Sequence, residues 1–272
     1  MQITKIKWVR NPDGTQGYSW NPIRGKCPAA CSLPDGRIYC YGHGLYNGRL
    51  KGIDPGEPEF NVEAWQKGRR KLKKSRKPLG IFLCSTFDLF HPVTNSIGDC
   101  GTAARDLIFS AIRYNHPRHR FYILTKFPQN IDRPIPPNVW LGVSITGDED
   151  PPRTRFLGVR RPSSASLSMQ LKLHYLKSIE AKLRFVSLEP MLNYPGSSIF
   201  EFLPYQNAPY ATKETIDWLI VGRLTGHGHK YDPDSEDIQY LVSRANKHGV
   251  PIFLKNNLSG IWPDELIQEM PG

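Results

Sequence analysis

Long apolar runs are missing from this chain. No stretch approaches the ~18 consecutive apolar residues of a transmembrane helix, so a membrane span is excluded. The opening MQITKIKWVRNPDG has no apolar core of the kind a secretory signal requires, and a cytoplasmic location is expected. Three motifs are absent as well: G-x-G-x-x-G after a strand, the Walker A loop, and H-E-x-x-H. Gly42, Gly44 and Gly48 do not have the spacing of a dinucleotide fingerprint. No solenoid-length repeat is present, and the basic run at 67–77 is the one biased tract.

What is present is enough for a large core. The chain has 272 residues, 39% hydrophobic and 11% aromatic, enough for one large α/β domain or two small ones; a single domain spanning 1–272 is expected. The net charge is +11 and is unevenly placed. Residues 67–77, KGRRKLKKSRK, hold eight basic residues and no acid; the other 28 basic and 25 acidic residues leave only +3. This run lies in a basic insertion at about 55–78, and Asn61 and Glu63 are placed to start a helix there as N-cap and first-turn acid. A solvated helix face is one reading. The other is a phosphate-contacting strip for nucleic acid, carried by Arg69, Arg70, Lys71, Lys73 and Lys74.

Short apolar runs alternate with helical stripes. The runs are LGIFLC (79–84), FYILTK (121–126), VWLGVSI (139–145), LRFVSLEPML (183–192), WLIVG (218–222) and VPIFLK (250–255). They do not alternate apolar with polar residues, so they predict strands buried on both faces of a parallel sheet. Helices are predicted at Ala104–Ile112 and at about 165–180, the latter with Leu167, Leu171 and Tyr175 on one face. A further helix carries Ile238, Leu241, Val242 and Ala245, with Gly249 at C′. About six βα units imply an open α/β sheet or a partial barrel. Polar residues follow the runs: Ser85, Thr86 and Asp88; Thr125 and Lys126; Ser144; Glu189; Gly222 and Arg223. In either architecture the carboxyl edge of the strands is where ligands bind.

Of the five cysteines, Cys84 reads as a core thiol and Cys100 as structural. Cys27, Cys31 and Cys40 cluster in GKCPAACSLPDGRIYCYGHG, where the PDG turn can fold Cys40 back on the other two. In a cytoplasmic chain such a cluster points to metal before disulfide. With His43 as fourth ligand it would be a structural Cys3His zinc site. With three thiolates alone it suits an iron–sulfur cluster with one open iron. His227 and His229 lie in a Gly-rich loop and could touch metal or substrate.

Eight blocks in order, SWNPIRGKC, YCYG, STFDLFHP, YILTKFP, PNVWLGVSI, RFVSLEP, DWLIVG and VPIFLK, resemble an uncharacterised three-cysteine-motif family of phages and prokaryotes. That family is described as related to radical S-adenosylmethionine (SAM) enzymes. The resemblance spans nearly the whole chain. It implies a radical-SAM-like, partial (βα)6 barrel and a 4Fe-4S cluster on Cys27, Cys31 and Cys40. It implies SAM on the open iron, reductively cleaved to a 5′-deoxyadenosyl radical that abstracts a hydrogen from a substrate; together with the basic charge, a nucleic acid or nucleotide is the expected substrate class. Asp88, Lys126, Ser144 and Glu189 match the blocks and are the expected SAM-positioning residues, with Tyr39 and Tyr41 shielding the cluster. A separate three-cysteine-motif partner protein is implied as well, and a catalytically degenerate scaffold acting with it is a further alternative. Two features differ from the pattern. The second cysteine gap is eight residues instead of two, with SLPDGR as the apparent insertion. GRLTGHGHK (222–230) also lacks the carboxylate of a Gly-Gly-Glu run.

Overall fold

The computed structural model describes residues 1–33, 35–146, 169–192 and 216–272. Eight strands form a mostly parallel sheet whose order follows the chain. They are β1 (Gln2–Ile3), β2 (Tyr18–Trp20), β3 (Gly80–Leu83), β4 (Arg120–Thr125), β5 (Val139–Ile145), β6 (Leu183–Met191), β7 (Trp218–Arg223) and β8 (Ile252–Leu254). β1 runs antiparallel to β2, whereas β2–β3, β3–β4, β6–β7 and β7–β8 are parallel pairs. All six apolar runs of the sequence are strands, β3 to β8. Their double burial explains the missing alternation; every residue of β5 is buried.

Five helices accompany the sheet among the described residues: α1 (Tyr41–Asn47), α2 (Val62–Lys74), α3 (Ala104–Ser110), α4 (Met169–Ser178) and α5 (Ser235–Lys247). α2 starts as its sequence predicts: the Asn61 side chain accepts a 2.9 Å hydrogen bond from the Ala64 N–H. α5 buries the four predicted residues, and Gly249 takes φ +63° beyond its end. α4 differs from its predicted face. Leu171 and Tyr175 are exposed, while Met169, Lys172, Leu173 and Leu176 are buried. The Lys172 stem provides the buried surface and its ammonium donates to the Ser144 carbonyl at 3.4 Å, so a lysine occupies a core position that periodicity assigns to solvent. Residues 165–168 of that predicted helix lie outside the described residues.

The chain divides into two compact units. The first comprises Met1–Cys31, Ile38–Leu141 and Glu180–Lys182. Its core packs Trp8 against Phe82 and Tyr122, with ring centroids 5.1 and 5.8 Å apart, and Trp140 edge-on to Tyr122. The Tyr122 hydroxyl donates to the Arg10 carbonyl at 2.8 Å, which satisfies its polar end. α2 docks on this unit through Trp65, Gly68 and Leu72. Trp65 stacks on Trp20 at 4.9 Å and 7°, and Trp20 Nε1 donates to the Ala64 carbonyl at 3.0 Å. Gly68 makes the approach possible: a Cβ there would lie 2.2 Å from the Trp20 indole.

The second unit comprises Ser32–Arg37, Gly142–Ile179 and Leu183–Gly272. Its core is built on Phe185, Trp218 and Phe253. A Cβ at Gly142 would meet the Phe185 ring at 2.3 Å, so the glycine lets that ring lie against β5.

Candidate metal centre

Cys27 and Cys31 are buried and Cys40 is partly so, all in the first unit. The loop is shaped by its own backbone. The Ala30 N–H donates to the Cys27 carbonyl at 3.1 Å, and Ala30 adopts φ +42°, a left-handed conformation that turns the chain between the first two cysteines. The Tyr39 N–H donates to the Cys31 carbonyl at 3.0 Å and brings Cys40 back beside Cys31. α1 follows directly. Gly42 lets it press on the turn after β3, because a Cβ there would lie 2.5 Å from the Thr86 carbonyl oxygen.

The three thiols form one electrostatic neighbourhood. Cys31 and Cys40 share a hydrogen bond that raises the Cys31 thiol and lowers Cys40, so Cys40 is the thiolate-favoured partner. The backbone N–H groups of His43 and Gly42 favour the Cys40 thiolate further. Burial pushes Cys27 up to about 12, and the Asp88 charge adds to this. The Lys126 cation acts in the opposite sense on Cys31.

Asp88 is placed by the end of β4. Its Oδ1 accepts from Thr125 Oγ1 at 2.7 Å and from the Phe90 N–H at 3.0 Å; its Oδ2 accepts from the Lys126 N–H at 2.7 Å. Burial nonetheless raises its pKa. Of the residues predicted to position a cofactor, Asp88 and Lys126 therefore lie with the cysteines. Ser144 and Glu189 belong to the second unit. Glu189 pairs there with Lys255, which sequence reasoning missed. Burial pushes Lys255 down to about 8. Leu188, Val221 and Leu254 are in register across β6, β7 and β8, so Glu189, Gly222 and Lys255 are each one residue beyond a matched trio. The Lys255 stem crosses Gly222, where a Cβ would meet its Cδ at 2.8 Å.

Other predicted residues are engaged elsewhere. His43 Nε2 lies 2.7 Å from the Cys27 carbonyl oxygen, so that nitrogen is taken by backbone. Tyr41 is 66% exposed and does not shield the cysteines. His229 and Arg223 both bond to Asp232, at 2.7 and 2.6 Å. Arg69, Arg70, Lys71, Lys73 and Lys74 all stand exposed on α2.

The residue types suit a thiophilic centre: three cysteines of one mostly buried loop, whose thiols interact electrostatically. The side chains are held by the Cys31–Cys40 hydrogen bond, and among the described residues no three Cys, His, Asp or Glu side chains already stand as a ready ligand set. Binding would exchange that hydrogen bond for metal–thiolate bonds and draw Cys27 in. The fold and the loop together define an α/β protein with a cysteine site beside the carboxyl ends of its strands. The chain belongs to the DUF5131 family, described as a protein of unknown function, whose model matches residues 3–269. No curated protein matches it. No helix among the described residues is long and apolar enough to cross a membrane.

Proposed function

We propose that this chain is a radical-SAM-like iron–sulfur protein on a partial (βα)6 barrel, acting on a nucleic-acid or nucleotide substrate. The observation that carries the reading is the electrostatic coupling of Cys27, Cys31 and Cys40 to one another and to Asp88, which follows β3 and bonds to the end of β4. Cys27, Cys31 and Cys40 would hold a 4Fe-4S cluster, which supplies the electron for reductive cleavage of SAM. The chain's own contribution is positional. Burial keeps the Cys27 and Cys31 thiols away from water, and the Lys126 cation offsets negative charge near Cys31. The Thr125, Phe90 and Lys126 donors fix the Asp88 carboxylate at the edge of the site. The resemblance adds a three-cysteine-motif partner protein to the same reading.

A structural Cys3His zinc site is the competing reading, and the His43 contact with the Cys27 carbonyl speaks against it. Metal content after anaerobic purification separates the two. Iron and acid-labile sulfide, lost together in Cys27→Ala, Cys31→Ala and Cys40→Ala, are expected. One equivalent of zinc, lost on His43→Ala, refutes the iron–sulfur reading. Given an intact cluster, dithionite and SAM should yield 5′-deoxyadenosine; failure to do so refutes the radical chemistry.

A further inference from the structure

We infer that α2 is a docking rail for the sugar–phosphate backbone of double-stranded nucleic acid, gripping it from both flanks of the helix. The inference names the substrate class of the function proposed above, but rests on a different face of the first unit. Two grooves run beside α2. One, of about 580 Å³, is lined by Gln66, Arg69, Arg70, Lys73, Asn115 and His116. The other, of about 450 Å³, is lined by Tyr18, Lys67, Arg70, Lys71 and Lys74 among others. Arg70 borders both and marks the ridge between them. No acidic residue lines either groove.

Two of the cations are oriented by the fold. Arg69 donates to Asn115 Oδ1 at 3.0 Å, and Lys71 Nζ sits 4.1 Å from the centre of the Tyr18 ring. The Tyr18 ring is thereby occupied by a cation, so the grooves offer charge to a backbone and not a platform for stacking bases. Charge density matches as well. Lys67, Arg69, Arg70, Lys71, Lys73 and Lys74 span seven helical steps, about 10 Å. A duplex carries about six phosphates over that length, one per ~1.7 Å. The large apolar residues of α2, Trp65 and Leu72, are buried against the protein body, and Val62 and Ala64 are half-buried in its first turn, so the helix has no extended apolar face to insert into a lipid surface. A single nucleotide would fill one groove and leave the other unused.

The test is equilibrium binding of a fluorescent 20-base-pair duplex of arbitrary sequence at several salt concentrations, with ATP and phosphatidylserine vesicles as separate probes. With six phosphate contacts, the log–log salt slope is expected near −5, about a thousandfold weakening between 50 and 200 mM salt. Lys67→Gln/Lys71→Gln/Lys74→Gln on one flank should flatten the slope by about 3, and Arg69→Gln/Lys73→Gln on the other by about 2. These side chains are exposed, and unchanged circular dichroism confirms folding. A slope insensitive to either set, a response to one flank alone, or vesicle or ATP binding as tight as duplex binding overturns the inference. The same measurements on the triple Cys→Ala protein keep the two proposals apart. Retained duplex binding without iron is expected if the faces are independent, and loss of iron–sulfur chemistry then leaves the docking rail standing.

Discussion

Gly68→Ala probes how α2 is seated, because its effect has the opposite sign to ordinary helix propensity. In an exposed helix interior, Gly to Ala stabilises by about 1 kcal/mol. At Gly68 the new methyl would lie 2.2 Å from the Trp20 indole, a separation that forces helix and ring apart. Overpacking of this kind costs about 1–3 kcal/mol. The displacement also weakens the Trp20–Trp65 stack, worth about 1 kcal/mol, and the Trp20 Nε1 bond to Ala64, worth about 1 kcal/mol. The net expectation is destabilisation of about 2–3 kcal/mol. Urea unfolding followed by tryptophan fluorescence measures it, with Gly44→Ala as control. Gly44 is exposed in α1 with open space around its Cα, so Ala there should stabilise by about 0.5–1 kcal/mol. Gly68→Ala at or above the parent stability would show that Trp20 and α2 are not held in this packing.

Three further outcomes are expected. Asp88→Asn turns one acceptor into a donor facing another donor, at the Phe90 N–H or the Lys126 N–H. It should cost about 2 kcal/mol in unfolding assays and reduce metal uptake; an unchanged unfolding midpoint counts against the contacts described. Burial pushes His116 down to about 4, so its stabilising effect is present above the unfolded value of 6.5 and is lost as pH falls toward 4. His116→Leu should therefore lose about 1–2 kcal/mol less than the parent between pH 7 and pH 5 in chemical denaturation, and parallel pH profiles would refute this. Glu189→Gln removes the counter-charge of a largely buried lysine and should destabilise by about 2 kcal/mol. Equal unfolding midpoints for parent and variant would show the pair to be incidental.

The sequence shows local features well and distant partners poorly. The six apolar runs announce β3 to β8 because double burial removes every polar residue from a stretch of chain. Asn61 and Gly249 announce helix ends because capping is settled within four residues. The face of α4 misleads, since Leu171 and Tyr175 keep helical spacing while a lysine takes the buried position. Cys27, Cys31 and Cys40 are visible by proximity in the chain. Their Asp88 neighbour is visible only as a polar residue after a strand. Lys255 ends one apolar run and Glu189 stands inside another, but 66 residues separate them and nothing local pairs them. The same holds for Gly68: its glycine is explained by Trp20, which lies far away in the chain.

Six of the eight residues between the second and third cysteines, Ser32–Arg37, belong to the second unit. Asp35 accepts a hydrogen bond there from the Tyr231 hydroxyl at 3.1 Å. The chain thus leaves the first unit just after Cys31 and returns just before Tyr39. No single cut yields either unit whole, and a truncation at residue 141 would strand this hexapeptide with the wrong half.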